Sequence, residues 1–370
     1  MKLLIIMGTR PEAIKFAPLI KLLEKETAFE LRVCVTGQHR EMLQQVLDFF
    51  EIEPQYDLNL MKPNQTLFDV SAGALTGLEP ILKSYRPDLV FVQGDTSTAF
   101  IGALAAFYLK CKIAHLEAGL RSGDKYSPFP EEANRKLVSI LADYHFAPTQ
   151  LAADALLKEG ISENVWVVGN TVVDALLLGL ENLKLRSIDY SPEFPFLNFS
   201  KPLILITAHR RESFGEPFEQ ICDAILEVKQ KYPEVQFLYP VHFNPNVRDV
   251  VSRKLSGVPG IHLIDPLDYP RLIWMMERSA IILTDSGGIQ EEAPALGKPV
   301  LVMRDVTERM EGVHAGTARL VGTNKEMIVS SLEGLLNNTD GMYDKMSKAV
   351  NPYGDGTTSR QIIDILTLLK

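Results

Sequence analysis

The stretch Leu3–Lys15 reads LLIIMGTRPEAIK. An apolar run stops at Gly8, a turn comes next, and Pro11 opens a helix, because proline suits the first helical turn, where its missing N–H costs nothing. This is the outline of a strand–turn–helix unit from a nucleotide-binding α/β fold. It lacks the three glycines of a dinucleotide loop and carries two cations, Arg10 and Lys15, in their place. A helix N-terminus already favours anions through its free N–H groups and its dipole. A guanidinium and an ammonium added there suit a ligand with a diphosphate.

Working outward, short apolar runs alternate with amphipathic stretches along nearly the whole chain. Strands are predicted at Leu3–Met7, Leu31–Thr36, Leu89–Gln93, Ile113–Leu116 and Val165–Val168, with helices at Arg40–Phe50, Leu67–Ser84, Ser97–Leu109 and Glu131–Ala142 between them. Continuously apolar, β-branched strands alternating with helices imply a parallel sheet covered on both faces. The stretch Lys184–Pro202 breaks this pattern with Pro192, Pro195 and Pro202, and reads as the passage into a second domain. Strands at Leu203–Thr207, Val235–Tyr239, Ile261–Ile264, Ile281–Thr284 and Val300–Met303 then repeat the plan. At 370 residues the chain exceeds one ordinary core, so two doubly wound α/β domains are expected. Open parallel sheets bind ligands at the carboxyl ends of their strands, which makes those ends the places to search.

The bulk composition narrows the partners. A net charge of −9 argues against nucleic acid, since a polyanion needs a basic face. Cys34, Cys111 and Cys222 form no CxxC pair and read as buried, reduced thiols of a cytoplasmic protein. LLIIM is too short for a signal peptide, and no apolar run reaches the ~18 residues of a membrane span, so no membrane partner is expected.

Reactive side chains gather at the predicted strand ends. VFVQGD ends on Asp95 and IAHLE ends on Glu117, each a carboxylate where an apolar strand runs out. Asp95 also suits the N-cap of the next helix, whereas Glu117 precedes the loop-like AGLRSGD. SPFPEEANR places Glu131 and Glu132 in a first helical turn, where acids also serve the dipole. LILITAHRRESFG releases His209, Arg210 and Arg211 together. In ILTDSGGIQEEAPALGKPV, Ser286, Gly287 and Gly288 open a helix, an arrangement that suits phosphate oxygens. Glu292, or its neighbour Glu291, lies where a carboxylate would accept bonds from both hydroxyls of a ribose. No GxGxxG, Walker loop, HExxH or DxD occurs. A nicotinamide, ATP chemistry and a metal-held diphosphate are therefore not expected, and neither cofactor nor metal is assigned.

GTRPEAIK, TGQHREML, HLEAGLRSGD, SPFPEEANR, GNTVVDAL, HRRESFG, YPVHFNPNV, TDSGGIQEEAP and NPYGDG jointly resemble the non-hydrolysing UDP-N-acetylglucosamine 2-epimerases. The resemblance implies the GT-B arrangement, two tandem Rossmann-like domains with an interdomain cleft. The domains fall at 1–170 and 171–356, with a C-terminal helix at about 357–370 packing back on the first. It implies interconversion of UDP-GlcNAc and UDP-ManNAc by a homodimer, through loss of the C2 proton and of UDP to give 2-acetamidoglucal, then re-addition. It carries catalytic roles to Asp95, Glu117, Glu131 and His209. Nucleotide contacts fall on Arg10, Lys15, Ser286, Gly287, Gly288, Glu292 and Arg309, with Arg10, Lys15 and His209 holding the diphosphate. Which carboxylate takes the proton stays open between Glu117 and Glu131. An activating second UDP-GlcNAc would meet Gln38, His39, Gln65, Arg210 and His242; Asn64 stands where some relatives have arginine. The departures lie in DPLDYPRLIWMM, where Leu272 replaces the family's aromatic beside the uracil. A GT-B glycosyltransferase, or an epimerase of a modified UDP-GlcNAc, is the alternative.

Overall fold

Two parallel sheets organise the protein, here a computed structural model that describes residues 1–37, 40–61, 65–210 and 213–369. The first sheet holds β1 (Lys2–Met7), β2 (Glu30–Val35), β3 (Tyr56–Asp57), β4 (Leu89–Gln93), β5 (Lys112–Leu116), β6 (Tyr144–Ala147) and β7 (Val165–Val167). Their order is β3-β2-β1-β4-β5-β6-β7. The second sheet holds β8 (Leu203–Thr207), β9 (Gln236–Pro240), β10 (Ile261–Ile264), β11 (Ile281–Thr284), β12 (Val300–Val302) and β13 (Ala318–Leu320), ordered β10-β9-β8-β11-β12-β13. Both orders reverse direction once, between β1 and β4 and between β8 and β11. Each sheet is therefore doubly wound with a switch point where ligands characteristically bind, and the fold class is the expected pair of Rossmann-like domains.

The chain divides into one unit of Met1–Leu178 with Tyr353–Lys370, and another of Gly179–Pro352. The division falls inside the helix Thr171–Leu185. In the first unit, Leu3 through Met7 have no exposed surface, because helices cover both faces of β1. Each such Leu or Ile, fully buried, stabilises the fold by about 1.5–3 kcal/mol. The last helix, Thr358–Leu368, packs on the helix Arg10–Leu23 of the same unit. The second unit's core runs through Ile204, Ile206, Phe218, Ile225, Phe237 and Leu283. The proline-rich stretch before β8 is pinned to this unit by Trp274, whose ring lies 6.0 Å from that of Phe194 and 5.4 Å from that of Phe199.

Cys34 and Cys222 are buried, and burial pushes both thiols up to about 12, while Cys111 is only partly covered. Among the described residues no helix is long and apolar enough to cross a membrane.

Candidate active site

At the first switch point, β1 ends in the turn Gly8–Arg10. Gly8 is required there, because a Cβ would collide with the hydroxyls of Thr36 and Thr98. Those hydroxyls lie 3.1 Å apart across the turn. Glu12 fixes the geometry of this turn. Its carboxylate accepts from Gly8 N at 3.1 Å, Thr9 N at 2.8 Å, Thr9 Oγ1 at 2.7 Å and Thr96 Oγ1 at 2.8 Å. Burial pushes this carboxyl above its usual range, and the hydrogen bonds from Thr9, Thr96 and Gly8 oppose that. The reciprocal Thr9–Glu12 capping box starts the helix Arg10–Leu23 and thereby ties the ends of β1 and β4 together. Arg10, the first residue of that helix, has no partner for its guanidinium among the described residues.

One turn on, Lys15 Nζ meets the Glu117 carboxylate at 2.5 Å. The sequence pattern assigns Lys15 to a diphosphate; the structure brings it to the carboxylate that ends β5. Glu117 also accepts from Gln93 Nε2 and, at 3.2 Å, from Asn170 Nδ2. Its backbone sits in the left-handed region at φ 62°. A non-glycine residue is uncommon there, and such strain is kept only where the surroundings over-determine it. Beneath, the buried His115 has Nε2 2.8 Å from the Gly94 carbonyl. Burial drags this imidazole down to about 3, so it is neutral and its Nε2–H donates. That bond holds Gly94, at φ 66°, in the turn that presents Asp95.

Asp95 is ion-paired with Arg135, and its carbonyl accepts from Asn134 Nδ2 at 2.9 Å. Both partners lie on the helix Glu131–Leu141. The two glutamates that open this helix behave differently. Glu132 is buried, accepts from Ser122 N at 2.9 Å and Gly123 N at 3.3 Å, and pairs with Arg135 at 3.3 Å. Glu131 is partly exposed and has no partner for its carboxylate among the described residues. Glu132 is thus committed to structure, and Glu131 is left available for chemistry.

At the second switch point, Asp285 after β11 accepts from His209 N at 2.6 Å and Arg210 N at 2.7 Å after β8. Its carbonyl accepts from Arg210 Nε at 3.0 Å, and its Oδ1 lies 3.5 Å from His209 Nδ1. The His209 ring stacks on His242, with centroids 5.3 Å apart. Desolvation lowers this imidazole below the usual histidine range; Asp285 opposes the shift, and His242 and Arg210 add to it. A pocket of about 200 Å³ opens beside it, lined by His209, His242, Ser286 and an apolar group comprising Pro266, Leu267, Leu272 and Ile289.

Ser286 precedes the short helix Gly287–Glu292, and its N–H is turned back to Thr284 Oγ1 at 2.9 Å. The two adjacent glutamates, undecided in the sequence, part here. Glu291 is ion-paired with Arg309 Nε at 2.9 Å, whereas Glu292 accepts from Tyr269 OH at 3.3 Å. Arg309 also meets Glu308 at 2.7 Å. Burial pushes Glu308 up, but Arg309 and Arg304 outweigh it and hold the carboxyl down at about 2. Arg309 packs against Gly287, since a Cβ there would come 3.2 Å from its guanidinium carbon.

Of the activator positions, Gln65 donates its side-chain amide to the Leu60 carbonyl, and His242 Nδ1 accepts from Asn244 N at 3.1 Å. Gln38, His39 and Asn64, as well as Arg211, lie outside the described residues. Sequence reading passed over Glu12, Gln93, Asn170 and Asp285. Thr9-x-x-Glu12 is a capping-box spacing and was readable. Asp285 directly follows a predicted strand. Nothing local marks Gln93 or Asn170. Among the described residues no cluster of His, Cys, Asp and Glu side chains is placed to hold a metal ion.

A profile of the UDP-N-acetylglucosamine 2-epimerase family matches residues 21–367. The chain is 52% identical to the UDP-N-acetylglucosamine 2-epimerase of Escherichia coli K12, over 99% of this chain and 98% of that one. It is 53% identical to a probable UDP-N-acetylglucosamine 2-epimerase of Ralstonia nicotianae, over 98% and 97%. The solved UDP-GlcNAc 2-epimerase of Neisseria meningitidis, bound to UDP-GlcNAc, superposes with a TM-score of 0.91 at 50% identity, each chain covered at 100%.

Proposed function

The chain belongs to the UDP-N-acetylglucosamine 2-epimerase family, and from that premise we propose that it interconverts UDP-GlcNAc and UDP-ManNAc without hydrolysis, supplying UDP-ManNAc for surface polysaccharide. The carrying observation is Glu117, a carboxylate in a strained backbone at a strand end, held by Lys15, Gln93 and Asn170.

The reaction we assign is an elimination followed by its reversal on the other face. A base takes the C2 proton, the C1–O bond breaks, the C1–C2 double bond of 2-acetamidoglucal forms, and UDP leaves with the bonding pair. Re-addition of UDP with protonation from the opposite side gives the 2-epimer. No net oxidation or reduction occurs, so an acid, a base and a stabilised leaving group suffice. Glu117 and Glu131 form the acid–base pair, and Asp95, oriented by Arg135, tunes or shuttles the proton. Such a pair accounts for ~10²–10⁴ in rate. Charge stabilisation of the departing diphosphate supplies much of the remainder, from Arg10, Lys15 and His209. Because Lys15 already touches Glu117, the charge growing on UDP and any change of charge on Glu117 are felt by one ammonium.

The second unit holds the nucleotide. Ser286, Gly287 and Gly288 face the phosphates together with Arg309, Glu292 takes the ribose hydroxyls, and the uracil lies in the pocket against Leu272. Glu292 is preferred to Glu291 because Glu291 is committed to Arg309.

Incubation with UDP-GlcNAc in D₂O tests the reading. Deuterium is expected at C2 of a mixed UDP-GlcNAc and UDP-ManNAc pool by NMR; unlabelled sugar, or GlcNAc passed to an acceptor, refutes it. The same assay started from pure UDP-ManNAc reads the activator. A second UDP-GlcNAc bound at Gln38, His39, Gln65, Arg210 and His242 gives a lag that traces of UDP-GlcNAc abolish, with weaker activation than in those relatives that carry an arginine at the position of Asn64. Linear progress curves remove the activator.

The working species is a homodimer. An apolar face supports it: Phe107, Tyr108, Leu137 and Ile140 are exposed on the neighbouring helices Ser97–Tyr108 and Glu131–Leu141. Light scattering should give twice the 41.3 kDa chain mass; a single-chain mass contradicts it.

A further inference from the structure

We propose that Asn170 is a positioning residue that aims the Glu117 carboxylate and makes that aim depend on the place where the chain passes between its two units. The inference rests on the assignment of Glu117 to the acid–base pair. Asn170 is buried at 3% exposure and does three things. Its Nδ2 donates to Glu117 Oε1 at 3.2 Å. Its backbone N–H donates to the Tyr353 carbonyl at 2.7 Å. Its Oδ1 accepts from Val172 N at 3.2 Å and so caps the helix Thr171–Leu185.

The position in the chain gives these bonds their meaning. The chain leaves the first unit along that helix and re-enters it at Tyr353. The outgoing and returning segments cross beside Asn170 with backbone against backbone. A Cβ on Gly169, at φ 93°, would come 2.6 Å from Thr358 Oγ1, 3.1 Å from the Tyr353 carbonyl and 3.3 Å from Gly354 Cα. One helical turn beyond Asn170, Asp174 accepts from Ser359 N at 2.7 Å and fastens the start of the last helix. At this crossing Asn170 is a side chain that reaches a proposed catalytic group. Glu117 Oε1 lies within hydrogen-bond reach of Asn170, so the amide bears directly on the direction of the carboxylate. Lys15 and Gln93 hold the other oxygen, Oε2, while Asn170 holds Oε1. Displacing the returning segment would move Asn170 through the Tyr353 bond, and with it Oε1.

Two variants separate positioning from mere helix capping. Asn170→Ser keeps a capping oxygen and loses the amide. Asn170→Asp keeps shape and cap, and sets a second carboxylate against Glu117, which Lys15 and Gln93 also face with neutral His115 beneath. For N170S we expect kcat to fall by at least ~10-fold, the scale of a lost hydrogen bond to a charged group, with KM and Tm unchanged. For N170D the limb of the pH–kcat profile that Glu117 governs should move to higher pH, because a like charge nearby favours protonation. A normal kcat in N170S, or an unmoved profile in N170D, overturns the proposal. Should N170S melt early, the N170D profile decides alone. Glu117→Gln run beside them distinguishes the failures: normal turnover there defeats the role of Glu117 itself. An inactive E117Q beside a normal N170S defeats only the role of Asn170.

Discussion

The two switch points share a topology and hold their side chains in opposite ways. In the first unit Glu117 is gripped by side chains from distant parts of the chain: Lys15 on the first helix, Gln93 at the end of β4, and Asn170 before a third element. In the second, one carboxylate, Asp285, takes the backbone N–H groups of His209 and Arg210. The contrast reflects the task of each edge. A carboxylate that exchanges a proton needs its own oxygens aimed, so the side chain itself is held. A loop that receives an anion needs a fixed backbone and side chains left to meet the ligand, so the backbone is held. On the proposed function, the carboxylates of the first edge should therefore govern kcat, and the nucleotide contacts of the second, His209 apart, should govern binding.

The sharpest way to break this division is Glu117→Gln and Glu131→Gln. Each keeps the side chain's shape and removes the group that titrates. Both should lose kcat by at least ~10²-fold, with KM changed little. They should differ in stability. Glu117→Gln leaves Lys15, itself largely covered, without its carboxylate partner, which lowers Tm. Glu131 has no such partner among the described residues, so its variant should melt like the parent. Steady-state kinetics and thermal melts on the two proteins check both halves. A rise in KM at constant kcat would move these glutamates to the binding side of the comparison.

How far the sequence exposes this arrangement depends on the reach of each interaction. The apolar strands β1, β4, β8 and β11 were readable because a strand buried on both faces is nearly continuously apolar. β6 was missed because its four residues, YHFA, hold only two purely apolar side chains and its burial depends on pairing with β5 and β7. β3 and β13, of two and three residues, lie on sheet edges, where little burial is asked of them. Strand-end positions were readable for Asp95, Glu117 and His209, because the switch-point rule concerns position along the strand. Partners were not. Asn170 meets Glu117 across 53 residues, and Lys15 meets it across 102, so no local pattern encodes either contact. The choice between Glu131 and Glu132 was likewise hidden. Both open the same helix, and only the fold of Ser122–Gly123 shows that Glu132 is taken.

The smallest effect sharpens the other half of the comparison. Leu272 lines the second unit's pocket beside Pro266, Leu267 and Ile289, where the uracil is assigned. Its neighbour Arg271 is turned to Glu193, at 2.7 and 2.9 Å, and to Asp268 at 2.5 Å. Arg271 is thus absorbed by structure, and the wall assigned to the base is apolar at Pro266, Leu267, Leu272 and Ile289. Leu272→Phe would offer an aromatic face for stacking, worth about 0.5–1.5 kcal/mol beyond buried area. That corresponds to a gain of about 2- to 12-fold in affinity at 1.4 kcal/mol per tenfold. The uracil does not react, so its contacts are equal in ground and transition states and lower KM without raising kcat. Calorimetry with UDP should show the same gain, since it measures binding apart from turnover. A higher kcat in L272F would mean that the uracil contact is felt more strongly in the transition state than in the ground state. Unchanged KM and unchanged UDP affinity would place the uracil away from this wall.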